Sequence, residues 1–160
     1  NPTDAINAYI AGNRIGSLNL SDRTGLTSLP NGLSVSGSLH LGGCTGLTSL
    51  PDGLSVGGSL HLGGCTGLTS LPDGLSVGGS LYLGGCTGLT SLPDGLSVGG
   101  SLHLSGTKIA PFLRHRGYQA YRHEGRVYAG CRNFSIAEAR QHWAADPVVI
   151  AAIDAIGGAA

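Results

Sequence analysis

Residues 39–59 and 60–80 share one 21-residue sentence, LHLGGCTGLTSLPDGLSVGGS, and residues 81–101 repeat it with Tyr82 in place of histidine. A looser copy begins at Leu18 (LNLSDRTGLTSLPNGLSVSGS) and a truncated one at Leu102 (LHLSGTKIA). A fixed period of roughly 20 to 50 residues folds as a solenoid, where each unit is one coil and neighbours bury each other's apolar side. A site that needs one geometry draws on different residues at different coils, and here only Tyr82 breaks the repeat. The array therefore reads as a ruler or broad patch and not as a catalytic cleft.

The coil can be built from its residues. Leu39 and Leu41 alternate with Ser38, His40 and Gly42, the period of a strand with one buried face. Cys44, Leu47, Leu50, Leu54 and Val56 complete the inward apolar set. Pro51-Asp52-Gly53 and Gly57-Gly58 are turn signals, and no stretch between them has room for a helix of about ten residues. The 29 glycines recur at six per full coil, so they punctuate turns and do not signal disorder. The expectation is about five coils with one parallel sheet and an extended or irregular opposite side. At roughly 4.8 Å per parallel strand, such a rod is about 24 Å long.

Leu39-His40-Leu41-Gly42-Gly43-Cys44, recurring at Leu60 to Cys65 and Leu81 to Cys86, resembles the strand pattern of the leucine-rich repeat. The continuation Leu47-Thr48-Ser49-Leu50-Pro51 is similar to its short, helix-poor bacterial class, and the resemblance covers residues 18–109. In that family the outward strand face is the usual partner-binding surface. The last coil departs, with Thr107-Lys108-Ile109 where the others have Cys-Thr-Gly-Leu, and reads as a transition out of the array.

Each position in a solenoid becomes a column. Asn19, His40, His61, Tyr82 and His103 lie between inward leucines and so face outward on the strand sheet. Three uses are open to this column: rings stacking to stabilise the sheet, contact with a macromolecular partner, or a metal ion at one pair. A metal is not expected, nor any cofactor, and the column is the candidate partner-binding site. Cys44, Cys65 and Cys86 form a second column, read as buried thiols that satisfy turn backbone groups. Zinc needs four convergent ligands, which a straight column does not supply, and a disulfide between adjacent coils would leave one of the three unpaired. With Cys131 as the fourth cysteine, a reducing compartment fits better. Asp52, Asp73 and Asp94, with Asn31 at the first coil, are ordinary turn formers that together make an acidic ridge.

The ends differ from the middle. Thr3 or Asp4 is placed to cap a short N-terminal helix (residues 1–17 as a cap) that carries Ile6, Tyr9 and Ile10, stops at Gly12 and covers Leu18 and Leu20. Residues 110–160 read as a separate basic α+β cap, since seven of the nine Lys and Arg residues fall between Lys108 and Arg140. Tyr118 to His123 and Arg126 to Gly130 predict a hairpin turning at Glu124-Gly125. Ser135 to Glu138 predicts a capping box opening a helix with Trp143, and Asp146-Pro147 a second helix with Val149, Ile153 and Ile156 on one face. Arg114, Arg116, Arg122, Arg126 and Arg132 interleave with Tyr118, Tyr121 and Tyr128, a mixture suited to phosphate contact and base stacking. Against that, the formal net charge is zero and no named nucleic-acid motif appears. Cys131, His142 and Asp146 are the residue types of a thiol nucleophile, base and orienter, but about fifty residues hold too little core to fix such a site, and no enzyme is expected.

The string Ala129-Gly130-Cys131-Arg132-Asn133-Phe134-Ser135, with Glu138-Ala139 and His142-Trp143, resembles a terminal module of phage and prophage repeat proteins. The resemblance implies phage or prophage origin. The expected function is non-enzymatic binding of a protein partner, as a host-defence inhibitor or a virion or assembly accessory. The alternatives are nucleic-acid binding through the basic cap and self-assembly of acidic ridge on basic cap, a heterologous contact that yields rings or filaments. The chain opens with no basic segment followed by an apolar one, and no apolar run is long enough to span a bilayer. The expected location is the cytoplasm, that of the host bacterium if the origin is phage, with no membrane partner.

Overall fold

The computed structural model describes residues 2–12, 16–111, 113–115, 118–123, 126–129 and 132–157. The chain divides into two compact units, Asn1–Ile109 and Ala110–Ala160. The first opens with helix α1 (Pro2–Ala11). Two-residue strands follow in strict alternation: β1 (Leu18–Asn19), β2 (Ser34–Val35), β3 (Leu39–His40), β4 (Ser55–Val56), β5 (Leu60–His61), β6 (Ser76–Val77), β7 (Leu81–Tyr82), β8 (Ser97–Val98) and β9 (Leu102–His103). The odd-numbered strands form a five-stranded parallel sheet in the order β1-β3-β5-β7-β9, and β2-β4-β6-β8 form a four-stranded parallel sheet. This is a parallel β-solenoid of about four coils: the five rungs of the first sheet bound four full 21-residue periods.

Register is one coil per step. Leu39 pairs with Leu60 and His40 with His61, and each equivalent pair follows along the sheet. The N–H of each coil donates to the carbonyl of the next: Leu39 to Ser59 at 2.9 Å, Leu41 to His61 at 2.8 Å, Gly43 to Gly63 at 2.8 Å, and their counterparts further along. Between the sheets, Leu60, Leu62, Cys65, Leu68, Leu71, Leu75 and Val77 of one coil are all 7% exposed or less. The inward set expected from the repeat is the core.

The side opposite the first sheet takes the extended of the two expected forms. It is a second parallel sheet and not an irregular surface, because Ser-Val places valine inward and serine outward in every coil. The turns at Pro-Asp-Gly and Gly-Gly leave only those two residues for it, too few to stand out as a strand in sequence. The N-terminal helix begins earlier than expected. Pro2 is its first residue, which suits proline's fixed φ and missing N–H, so Thr3 and Asp4 lie within the helix and do not precede it. The helix is tied to the first coil: Ile6 is buried, the Tyr9 hydroxyl donates to the Gly16 carbonyl at 3.1 Å and the Ser36 N–H donates to the Tyr9 hydroxyl at 3.3 Å.

The second unit is a four-stranded antiparallel sheet, β10 (Leu113–His115), β11 (Tyr118–His123), β12 (Arg126–Ala129) and β13 (Arg132–Ser135), followed by α2 (Ile136–His142) and α3 (Pro147–Gly157). The β11–β12 pair is the expected hairpin, with Tyr121 opposite Tyr128 and His123 opposite Arg126. Its turn, Glu124-Gly125, and Gly130 lie outside the described residues. The capping box is present: Ser135 N–H donates to Glu138 Oε2 at 2.7 Å and Glu138 N–H to Ser135 Oγ at 3.2 Å. Asp146 Oδ1 accepts the N–H groups of Val148 and Val149 and so caps α3. Ala120, Val127, Ala139, Val149 and Ile153 form the core of this unit. Among the described residues no helix is long and apolar enough to cross a membrane.

The cysteine column locks the solenoid turns. Cys44 Sγ donates to the Leu20 carbonyl, Cys65 to Leu41 and Cys86 to Leu62, each at 3.1 Å, and all three thiols are free and buried. Each thiol reaches back into the preceding coil. Burial pushes all three upward, with Cys65 raised from 9.0 to about 12. The protonated thiol is thus both the donor the turn needs and the form the core prefers.

Two predictions follow from the packing and the thiols. A Cβ on Gly78 would overlap the Gly57 carbonyl of the preceding coil, whereas one on Gly63 would meet the Gly84 carbonyl at an ordinary 3.5 Å. In urea titrations Gly78→Ala should therefore lose about 2 kcal/mol or more, and Gly63→Ala should lose far less; equal losses would contradict this packing. An unfolded thiol ionises near pH 9.0 and folded Cys65 near 12, so its contribution is complete below 9.0 and is lost as pH climbs toward 12. Stability should fall over that window, and Cys65→Val should flatten the fall. An unchanged slope in the variant would contradict the assignment.

Candidate functional site: a stacked ring column

On the outer face of the five-stranded sheet, one ring from each successive coil lies flat on the next. His40 and His61 stack with centroids 4.4 Å apart and planes 9° apart. His61 and Tyr82 follow at 4.4 Å and 8°, then Tyr82 and His103 at 4.5 Å and 5°. The rings stack because register places like positions one strand spacing apart and the backbone repeats without change. All four are partly buried, while Asn19 at the head of the column is exposed, its side-chain oxygen accepting the Ser21 N–H at 3.0 Å. Burial, then the neighbouring His40, hold His61 below the ordinary histidine range.

A serine column beside the rings has a role that the sequence reading missed. Ser17 Oγ accepts the Ser38 N–H at 2.9 Å, and Ser38, Ser59 and Ser80 do the same for Ser59, Ser80 and Ser101 at 3.0 to 3.1 Å. These hydroxyls satisfy backbone donors between coils. Serine held in register at every coil was the available signal, because a side chain wanted only for smallness could as well be alanine. The glycines at 42, 63 and 84 flank the rings on the other side and leave their edges prominent.

Parallel stacking also decides what the column can do chemically. Imidazoles lying face to face direct their nitrogen lone pairs side by side, whereas a tetrahedral metal ion needs them to converge. Among the described residues no group of three or more His, Cys, Asp or Glu is arranged to hold a metal ion. What the column offers is a strip of ring edges at one-coil intervals.

Asp52, Asp73 and Asp94 are exposed, as the ridge requires. Part of their work is local: Asp73 Oδ1 accepts the Asp94 N–H at 3.2 Å, and the Asp52 and Asp94 carbonyls accept the N–H groups of Gly32 and Gly74 in the preceding coils. A groove of about 380 Å³ runs across three coils beside Asn31 and Asp52, with Ser28, Ser49 and Ser70 on its wall.

In the second unit Arg122 and Arg126 are exposed. Arg114 and Arg132 lie on β10 and β13, and Arg116 lies outside the described residues. Tyr121 and Tyr128 are 7% and 3% exposed, so their rings are not free to stack on bases. Two of the residues grouped as nucleophile, base and orienter, Asp146 and His142, have other contacts. Asp146 caps α3, and the His142 ring lies 5.0 Å from Phe134 and 4.7 Å from Trp143. Cys131 lies outside the described residues. The Ser135 N–H and hydroxyl hold the Glu138 carboxyl below its usual range, a consequence of the helix cap.

No protein-family model, curated protein or solved structure matches the chain.

Proposed function

We propose that this chain is a non-enzymatic binding protein whose contact surface for a protein partner is the strip Asn19, His40, His61, Tyr82 and His103. The observation that carries the reading is the continuous ring stack on one sheet face, flanked by serine and glycine, so that ring edges stand out in a straight line. Aromatic edges on a rigid scaffold lose little conformational entropy on contact, which favours them as anchors. The Leu-x-Leu-x-x-Cys pattern supports assigning the coils to the leucine-rich-repeat type, whose partners dock on the strand face. The string around Phe134 supports a phage or prophage origin, and with it a role as host-defence inhibitor or virion accessory, in the host cytoplasm.

Charge segregation favours self-association as a second reading, because Asp52, Asp73 and Asp94 are exposed in one unit and Arg122 and Arg126 in the other. The nucleic-acid reading has less support, since two of its three tyrosines, Tyr121 and Tyr128, are buried.

The test is capture from a bacterial lysate on immobilised protein, comparing wild type with His40, His61, Tyr82 and His103 all changed to Ser and with Asp52, Asp73 and Asp94 changed to Asn. Circular dichroism checks that each variant retains the solenoid. The reading predicts a protein held by wild type and by the Asn variant and reduced about tenfold or more by the ring variant. Equal capture by the folded ring variant would move the contact elsewhere. The same resin reports self-association: an untagged second copy should bind at low salt and wash off as ions screen the charges, and no binding at low salt removes that reading.

A further inference from the structure

The single break in the repeat has an electrostatic consequence. His40 and His61 are adjacent in the stack, while Tyr82 stands between His61 and His103. The phenol is uncharged in the range where histidine titrates. The flanking positions carry no titratable side chain: Asn19 is the strand neighbour of His40, and the flanking columns are Ser38, Ser59, Ser80 and Ser101 on one side and Gly42, Gly63 and Gly84 on the other. Two imidazolium rings face to face at 4.4 Å repel strongly in a half-buried setting. Mutual repulsion therefore opposes charging His40 and His61 at the same time. Tyr82 separates His103 from the His40–His61 pair, and a proton on either ring beside Tyr82 meets the face of the phenol.

We propose that the ring column is a proton-sensitive element of the solenoid, favoured when its stacked imidazoles are neutral and opposed by repulsion when adjacent ones are charged, with Tyr82 limiting the run of adjacent imidazoles to two. The sense of the effect follows from His61, held below 6.5 by burial and by His40. Its contribution to stability is complete above 6.5 and is lost as pH falls through the lowered folded value. If the strip is the contact surface, binding inherits this dependence. The test below reads folding without any partner, so its failure is distinguishable from failure of the binding reading.

Two substitutions change the count of adjacent imidazoles while keeping a ring at each position. Tyr82→His restores the exact repeat and makes four in a row, and His61→Tyr leaves no two adjacent. Tyrosine already occupies the equivalent place in the next coil, so both variants are expected to fold at neutral pH. Urea unfolding is measured from about pH 7 to 5. The folding constant of Tyr82→His should fall about tenfold more over that range than that of His61→Tyr, with wild type between. Parallel pH profiles for the three proteins would overturn the proposal.

Discussion

Every coil of this solenoid hands its backbone hydrogen bonds to the next at a fixed step of one repeat, so each residue sits directly against its own counterpart. The Leu39–Ser59 and Leu41–His61 bonds and their successors enforce that step. Like then meets like, whatever the residue. Leucine on leucine makes a core, and serine beside serine makes a ladder in which one hydroxyl serves the next N–H. A thiol reaches the carbonyl one coil back, and a flat ring lies on a flat ring. For charged residues the same rule is a cost, because Asp52, Asp73 and Asp94 are brought into line and must face solvent.

The step also sets which substitutions the repeat tolerates. Gly57, Gly78 and Gly99 each lie against the carbonyl of the coil before, with no room for a Cβ. The first coil has Ser36 at that position, where the Ser36 hydroxyl accepts the Gly16 N–H at 2.8 Å and the helix, through Tyr9, supplies the neighbour. Similarly, Gly43, Gly64, Gly85 and Gly106 all have positive φ, and the first coil alone uses a non-glycine residue there, Asp22 at φ 60. The first coil departs from the sentence where its neighbour is a helix and not a coil.

Much of this was legible in the sequence, and what was not has a physical reason. Period and alternation revealed the coils, the inward leucines, the ring column and the thiol column, because stacking makes each of them a repeat of one position. The second sheet was hidden: a two-residue strand between turns carries no period to read, and only pairing with Ser76–Val77 and its like defines it. The serine ladder was hidden because a flanking serine and a bonding serine look the same until the backbone donor beside it is placed. In the second unit, which lacks a repeat, local signals located the capping box and both helix starts. Burial of Tyr121 and Tyr128 was not legible, since the interleaving of Arg and Tyr gave no indication of which rings were covered.

The central claim is that the coils are interchangeable units joined only through this one-coil register. Removing residues 60–80 joins Ser59 to Leu81 and restores every junction, whereas removing residues 60–79 leaves an extra serine and displaces the inward set by one position. Urea unfolding of the two deletions, followed by circular dichroism, tests this directly. The account predicts that the 21-residue deletion folds cooperatively with a modest loss of stability and that the 20-residue deletion loses its cooperative transition. Equal behaviour of the two, folded or unfolded, would contradict it.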